Sequence, residues 1–184
     1  MDVENVNDLE KLELARERVI DAVSHNMNLY GISDSIGRLY GLLYFQNHPL
    51  TLDEMKEELG MSKTSMSTSV RTLMELKMVE KVWKKGVRKD LYKAEEDWHK
   101  NLFDYFDIKW RAAISVNVHA IKKSLQELQG IIQSETADGE VKALAEEDIK
   151  KLTEALDYYD WLTRLIDSFA SREIFNFIPP KKQN

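Results

Sequence analysis

The feature that most restricts the fold of this chain is a pair of helical segments that meet at Gly60. Thr51 and Glu54 have the capping-box spacing, which predicts a short helix that ends at the glycine. Ser62 follows the glycine closely and can cap a second helix, which we expect to run over residues 63–77. A helix, a tight glycine turn and another helix together predict a helix-turn-helix.

The second of these helices is predicted to have an apolar face and a small polar face. Met66, Val70 and Leu73 repeat at intervals of three or four residues, which predicts that they pack inward. Short hydroxyl and basic side chains on the opposite face can bond to phosphates and base edges in a major groove about 12 Å wide. The candidate DNA contacts on this helix are Ser62, Lys63, Thr64, Ser67, Thr68 and Arg71. The alternative is an ordinary serine-rich surface helix.

A basic β-hairpin is predicted to follow the helix-turn-helix. Residues 79–83 and 87–92 are β-prone, and Gly86 between them can supply the positive φ of a turn. Its basic side chains can contact phosphates or place an arginine in the minor groove. The candidate DNA contacts here are Lys84, Lys85, Arg88 and Lys89. We therefore predict a mainly α fold in which residues 31–94 form a winged helix-turn-helix domain with a two-stranded β wing.

The distribution of charge favours a polyanionic partner for this part of the chain. Residues 61–93 hold nine basic and three acidic side chains, a local charge of +6, although the whole chain carries −6. A positive segment on an otherwise acidic protein is typical of a contact with double-stranded DNA. The alternative from charge alone is a solvated, lysine-rich loop.

An amphipathic helix is predicted before this domain, within residues 1–30. It is expected to begin at Asp8 and to extend to Leu29, two residues before Gly31. Apolar residues spaced by three or four positions mark one face, formed by Leu12, Ala15, Val19, Val23 and Met27. We expect this helix to support the domain and to take part in dimerisation.

Two long helices are predicted within residues 95–178, on either side of a polar break at 134–139. The apolar positions of the first are Trp98, Leu102, Phe106, Trp110, Ala113, Ala120, Leu128 and Ile131; those of the second are Val141, Leu144, Leu152, Leu156, Tyr159, Leu162, Ile166 and Phe169. Helices joined by a short loop pack as an antiparallel hairpin. We expect a second copy of the chain to cover their remaining apolar surface, as a twofold homodimer. The tail, residues 179–184, begins with prolines and is expected to fray.

Sequence patterns for catalysis, cofactor binding and metal binding are absent. The chain has no cysteine, and it contains no phosphate-binding loop, dinucleotide fingerprint or nucleophile elbow. Glu96 and His99 have the spacing of half a di-iron motif, but the required second Glu-x-x-His is missing. We therefore expect no enzymatic activity, no cofactor and no metal. Two alternatives to DNA binding remain: a winged-helix adaptor that binds protein, and a helical metal-binding protein.

No segment of the sequence is predicted to enter a membrane. The longest apolar run, residues 41–45, is far shorter than the roughly 20 residues that a bilayer-spanning helix needs. The absence of cysteine also fits a reducing compartment. We therefore expect a cytoplasmic protein.

Three stretches of the DNA-binding half resemble a known family: LDEM at 52–55, MSKTSMS at 61–67 and VWKKGVRKDLY at 82–92. They resemble the GbsR-type regulators of the MarR-like winged-helix family, whose order of helices and wing is also similar. The resemblance implies a repressor of genes for osmoprotectant uptake or for glycine betaine synthesis from choline, with choline as an effector in some members. It covers most of the chain. The usual aspartate before the wing-tip arginine is missing here, so only Arg88 is matched to that arginine.

Clustered aromatic residues provide a candidate site for such an effector. A quaternary ammonium group has no hydrogen-bond donor and is bound by aromatic faces through cation–π attraction. The candidate effector contacts are Tyr40, Tyr44, Trp98, Phe106 and Trp110. The alternative for each ring is a place in the core or in the dimer interface.

Overall fold

The structure, a computed structural model, describes residues 7–181. It divides into two compact units between Tyr105 and Phe106. The first unit contains α1 (Asp8–Asn26), α2 (Asp34–Tyr44), β1 (Leu50–Thr51), α3 (Leu52–Leu59), α4 (Lys63–Glu75), β2 (Val79–Val82) and β3 (Leu91–Ala94). Helix α5 (Trp98–Gln133) begins in the first unit and continues in the second, which also contains α6 (Gly139–Ala170) and α7 (Ile174–Phe177).

Helix α1 is shorter than the sequence predicts, because it ends at Asn26. A 3₁₀ turn over Met27–Tyr30 follows it, and Gly31 then adopts a left-handed φ of 69°. Within α1, the buried side chains are Ile20 and Ser24, both in its C-terminal half. Of the predicted apolar face, Leu12, Ala15 and Val19 are exposed in the single chain, whereas Val23 is half-buried and Met27 is buried. The expected part of this helix in dimerisation stays a prediction. Helical periodicity shows which residues share a face, but packing decides which face is covered.

Two glycines of α2 bring α1 and α2 close together. A Cβ atom at Gly37 would lie 2.7 Å from the Cα atom of Ser24, which is far closer than two such atoms can approach. A Cβ atom at Gly41 would lie 3.0 Å from Cγ2 of Ile20. The Ser24 hydroxyl also donates to the main-chain oxygen of Asp34 at 3.1 Å. The lack of side chains at the two glycines therefore sets the separation of the helices.

The core of the first unit draws on α2, α3, α4 and all three strands. The predicted inward positions Met55, Met66, Val70 and Leu73 are confirmed as buried. They form one cluster whose other buried members are Met27, Ile32, Leu39, Tyr40, Leu43, Leu50, Leu76, Met78, Val79, Tyr92 and Ala94. Because α4 and the strands share this core, the wing is attached to the same packed body as the helix-turn-helix.

The sheet has three strands instead of the predicted two. Strands β2 and β3 are antiparallel with Val82 opposite Leu91, so residues 83–90 form the wing loop. The predicted second arm at 87–92 is therefore mostly loop, and β3 continues to Ala94. Strand β1 pairs with the other side of β3, in the order β1-β3-β2. A strand of two residues has no alternation that a sequence pattern can detect.

Helices α5 and α6 form the predicted pair in the second unit. Ile114 of α5 packs with Leu162 and Ile166 of α6, and Nη2 of Arg111 donates to Oδ1 of Asp167 at 2.7 Å. Of the predicted apolar positions, Ala113, Ala120, Val141 and Leu144 are exposed in the single chain, and Ala145, which was not among them, is buried.

The mainly α winged-helix architecture is confirmed, and the helices and the wing follow the predicted order. Residues 1–6 of the predicted N-terminal segment and 182–184 of the predicted tail lie outside the described residues. The division into functional segments at 30, 94 and 178 stays a prediction. Among residues 7–181, no helix has the length and hydropathy needed to cross a bilayer.

Candidate nucleic-acid interface

Helix α4 is positioned by caps that the sequence encodes locally. Thr51 and Glu54 form the predicted capping box at the start of α3, and Gly60 ends α3 with a left-handed φ of 62°. The Ser62 hydroxyl then accepts a hydrogen bond from the Ser65 amide at 3.2 Å and starts α4. The helix-turn-helix predicted from these spacings is confirmed, with α4 ending at Glu75 instead of Lys77.

The exposed face of α4 holds every candidate contact predicted for this helix. Lys63, Thr64, Ser67, Thr68 and Arg71 are exposed, as is the cap Ser62. Buried Met66, Val70 and Leu73 hold the opposite face against the core. The exposed face therefore presents hydroxyl and cationic groups on a helix whose orientation is fixed by packing, which is the arrangement that a DNA-contacting helix requires.

The wing loop turns sharply around Gly86. The Val87 amide donates to the Lys84 main-chain oxygen at 3.1 Å, and Gly86 has a φ of 86°, so the predicted positive φ is confirmed. Residues 83–90 are all exposed. The loop therefore projects its basic side chains into solvent beyond the last paired residues of the sheet.

The nine basic side chains of residues 61–93 fall into two groups. Five have a carboxylate oxygen within 4.0 Å: Arg71 with Glu75, Lys77 with Asp104, Lys81 with Asp90, Lys89 with Asp53 and Lys93 with Glu80. Across residues 7–181, no carboxylate lies that close to the other four, which are Lys63, Lys84, Lys85 and Arg88. The positive charge available to a partner is therefore concentrated at the start of α4 and at the wing tip.

Lys89 differs from the other wing-loop cations because it connects the loop to α3. Its Nζ atom donates to Oδ2 of Asp53 at 2.8 Å. This hydrogen bond lowers the pKa of Asp53 and raises the pKa of Lys89. Asp53 is not recognisable in the sequence as a partner of the wing, because it has the form of an ordinary first-turn acid and no local pattern links it to residue 89. Lys89 is thus placed to anchor the loop as well as to approach a phosphate.

Three of the five candidate effector residues lie together in the first unit. The ring centroids of Trp98 and Tyr44 are 5.2 Å apart, those of Trp98 and Tyr40 are 5.8 Å apart, and Trp98 Nε1 donates to the Tyr44 hydroxyl at 3.0 Å. Tyr40 is fully buried, donates to the Glu95 main-chain oxygen at 2.9 Å and accepts from Asn101. Burial raises the pKa of its hydroxyl. Here the rings contact one another and do not surround an open space.

The other two candidate effector residues belong to the second unit. Phe106 packs edge-to-face on Phe169 of α6, with ring centroids 5.7 Å apart. Trp110 lies further along α5 and is exposed. Of the five candidate effector residues, only Tyr40, Tyr44 and Trp98 therefore lie together within one unit.

The half-motif Glu96 and His99 has no metal-binding surroundings in the described chain. His99 Nδ1 lies 3.6 Å from a carboxylate oxygen of Asp97. Across residues 7–181, no group of three or more His, Asp or Glu side chains is arranged to hold a metal ion.

Comparison with known proteins places these features in a family. The family described as "GbsR family transcriptional regulator, C-terminal helical hairpin" matches residues 98–176. The HTH-type transcriptional repressor GbsR of Bacillus subtilis (strain 168) is 44% identical over 168 residues, which cover 91% of this chain and 93% of that protein. The HTH-type transcriptional repressor OpcR of the same organism is 38% identical over 175 residues, 95% of each chain.

A solved structure described as a transcriptional regulator shares the fold, with a TM-score of 0.55 at 14% identity; the match covers 85% of this chain and 99% of that one. The predicted resemblance is confirmed by the identity to full-length relatives. The chain belongs to the GbsR family of transcriptional regulators, and not to a family of enzymes.

Proposed function

We propose that this protein represses transcription by binding operator DNA with the exposed face of α4 in the major groove and the wing on the adjacent minor groove. The observation that carries the proposal is a set of four cations on the same packed unit as that face, none of which has a carboxylate partner within residues 7–181: Lys63, Lys84, Lys85 and Arg88. The family resemblance supports genes of osmoprotectant uptake or synthesis as the targets.

The two parts of this interface have different tasks. Thr64, Ser67, Thr68 and Arg71 stand on the exposed face of α4 and can bond to base edges, which differ between base pairs in the major groove. Lys84 and Lys85 of the wing provide charge to phosphates, which are the same in every sequence. The helix therefore supplies discrimination and the wing supplies affinity.

The salt dependence of binding tests the proposal. If the four cations of each subunit neutralise one phosphate each, a dimer releases about eight counterions, and log affinity falls with log salt at a slope of about −7. The measurement is a titration of a promoter duplex with the protein at several salt concentrations. A neutral polymer, which has no counterions to release, serves as the control ligand. A slope near zero contradicts DNA binding and favours the protein-binding adaptor.

The repressor is proposed to act as a homodimer on an imperfect palindrome. Large apolar side chains of α6 remain exposed in the single chain, including Tyr158 and Trp161. A second copy related by twofold symmetry is the commonest way to cover such a surface. The two α4 helices would then meet half-sites about one helical turn apart, roughly 34 to 36 Å.

An aromatic site for choline or a related trimethylammonium compound is proposed at Tyr44 and Trp98. Their rings are partly or largely exposed, whereas Tyr40 behind them is buried and can only stiffen the site. Each ring face contributes about 0.5 to 2 kcal/mol to binding a cation. A ligand that prefers one arrangement of the dimer would shift DNA affinity by its differential affinity for the two arrangements.

Calorimetry with choline tests this site. The wild-type protein is expected to bind choline, and Tyr44→Ala or Trp98→Ala is expected to weaken binding about tenfold. Trp161→Phe, which alters a ring of the second unit, serves as the control and should bind as the wild type does. Absence of binding up to millimolar choline would contradict the proposal and leave these rings as core.

A further inference from the structure

The wing carries one large apolar side chain that its own chain does not cover. Trp83 is 82% exposed and directly follows Val82, the last residue of β2. Val87, on the other side of the turn, is exposed as well. A buried aromatic side chain removes about 150 to 250 Å² of surface from water, and the exposed indole of Trp83 does not gain the free energy of this burial within its own chain. The ring is therefore available to a partner.

The surroundings of Trp83 define the chemistry of that partner. Lys84 and Lys85 follow it directly and Arg88 lies across the turn, and among the described residues none of the three has a carboxylate within 4.0 Å. An apolar ring that lies beside these three cationic side chains is suited to a polyanion that also has a flat apolar surface. Duplex DNA does so through its sugars and base edges.

The attachment of the wing favours DNA over an anionic lipid surface. Strands β2 and β3 share the core of α4 through Val79, Tyr92 and Ala94, and the Lys89–Asp53 hydrogen bond connects the loop to α3. Trp83 is therefore held at a set position relative to the exposed face of α4 and does not lie on a flexible tether. When α4 lies in the major groove of a duplex, the adjacent minor groove lies next to the wing.

We propose that Trp83 contacts the minor groove beside the site of α4 and gives the protein a preference for A·T pairs there; this inference rests on the proposed DNA-binding function. The indole can pack on deoxyribose and base edges, as apolar side chains do in other minor-groove contacts. Its Nε1–H is a donor that meets no acceptor among residues 7–181. A·T pairs present only acceptors in the minor groove, whereas G·C pairs add a donor that opposes the indole.

The test uses duplexes selected from random sequence by the wild-type protein, in versions with A·T or G·C pairs at the flanks of each half-site. Trp83→Ala is expected to weaken binding about tenfold, because it removes the burial of a large apolar side chain. The salt slope should not change, because an apolar contact releases no counterions. The matched control, Lys85→Ala, should flatten the slope by about one unit for each subunit. Trp83→Phe should recover most of the affinity but lose the preference for A·T flanks.

The outcomes separate this inference from the function on which it rests. If Trp83→Ala binds the selected duplex with wild-type affinity, the inference is overturned while DNA binding stands. If wild-type binding shows no salt dependence, the proposed function fails first. Binding of the wild type to phosphatidylserine vesicles that Trp83→Ala abolishes, with duplex affinity unchanged, would assign the ring to a membrane and overturn the inference. Unchanged circular dichroism of each variant verifies that it is folded.

Discussion

Arg71 forms only a weak ion pair within its own chain, so its guanidinium remains available to contact a base. Its Nε atom lies 3.9 Å from a carboxylate oxygen of Glu75, one helical turn away, and both side chains are more than two-thirds exposed. Exposed pairs of this kind contribute about 0 to 1 kcal/mol to stability. The guanidinium can therefore leave Glu75 for the two acceptors of a guanine at little cost.

Replacement of Arg71 is expected to reduce discrimination between DNA sequences. Arg71→Ala should cost about 1 to 3 kcal/mol on the selected duplex and much less on random DNA, since it removes a contact with a base edge. Lys84→Ala should weaken both duplexes to the same extent and flatten the salt slope, because it removes a phosphate contact. Competition titrations measure the two affinities. Equal losses on both duplexes for Arg71→Ala would refute this assignment.

At the scale of the element, the contact between α1 and α2 depends on a backbone approach that only glycine permits. The clash of a Cβ atom at Gly37 would be with the main chain of Ser24, which cannot move away as a flexible side chain can. Gly130 in α5 provides a contrast, because a Cβ atom there would meet no atom of the described chain within 4 Å.

Alanine at these two glycines is expected to change stability in opposite directions. Gly37→Ala should lower the free energy of unfolding by about 1 to 3 kcal/mol, through overpacking of the helix pair. Gly130→Ala should raise it by up to about 1 kcal/mol, since alanine favours an exposed helix interior. Urea unfolding followed by circular dichroism measures both changes. A Gly37→Ala protein as stable as the wild type would show that α1 can shift away freely.

At the scale of the whole molecule, the structure shows which variants can test assembly. Leu162 is only 7% exposed and packs against Ile114 within the same chain, so a charge there would disturb the second unit itself. Trp161 is its neighbour in sequence but lies on the exposed side of α6, where its ring stacks on Tyr158 with centroids 6.2 Å apart. Trp161 is therefore the residue that can separate loss of the dimer from loss of the fold.

A charge at position 161 is expected to dissociate the proposed dimer. Trp161→Glu should sediment as a monomer at micromolar concentration, keep the helical content of the wild type, and bind operator DNA far more weakly because the two half-sites are no longer linked. Leu162→Glu should instead lose helical content. Sedimentation and circular dichroism distinguish the two results. A Trp161→Glu protein that remains dimeric would place the interface elsewhere.

The sequence alone determined the features whose causes lie within a few residues of chain. The capping box at Thr51 and Glu54, the cap at Ser62 and the inward face of α4 were all predicted correctly, because caps and helical periodicity are local. The order of helices and wing followed from the same patterns, whereas the family followed from the resemblance of the stretches at 52–55, 61–67 and 82–92 to known regulators. The exposed polar face of α4 was found for the same reason.

Only the tertiary structure decided the features that depend on residues far apart in the chain. The register that places Val82 opposite Leu91 set the length of the wing loop, and the pairing of β1 with β3 added a strand. Carboxylates such as Asp53 and Asp104, distant in sequence, determined which lysines are neutralised. Packing likewise chose the buried faces of α1, α5 and α6. Each of these features depends on a contact between two segments that are distant in sequence. A pattern within one segment carries no information about the position of the other.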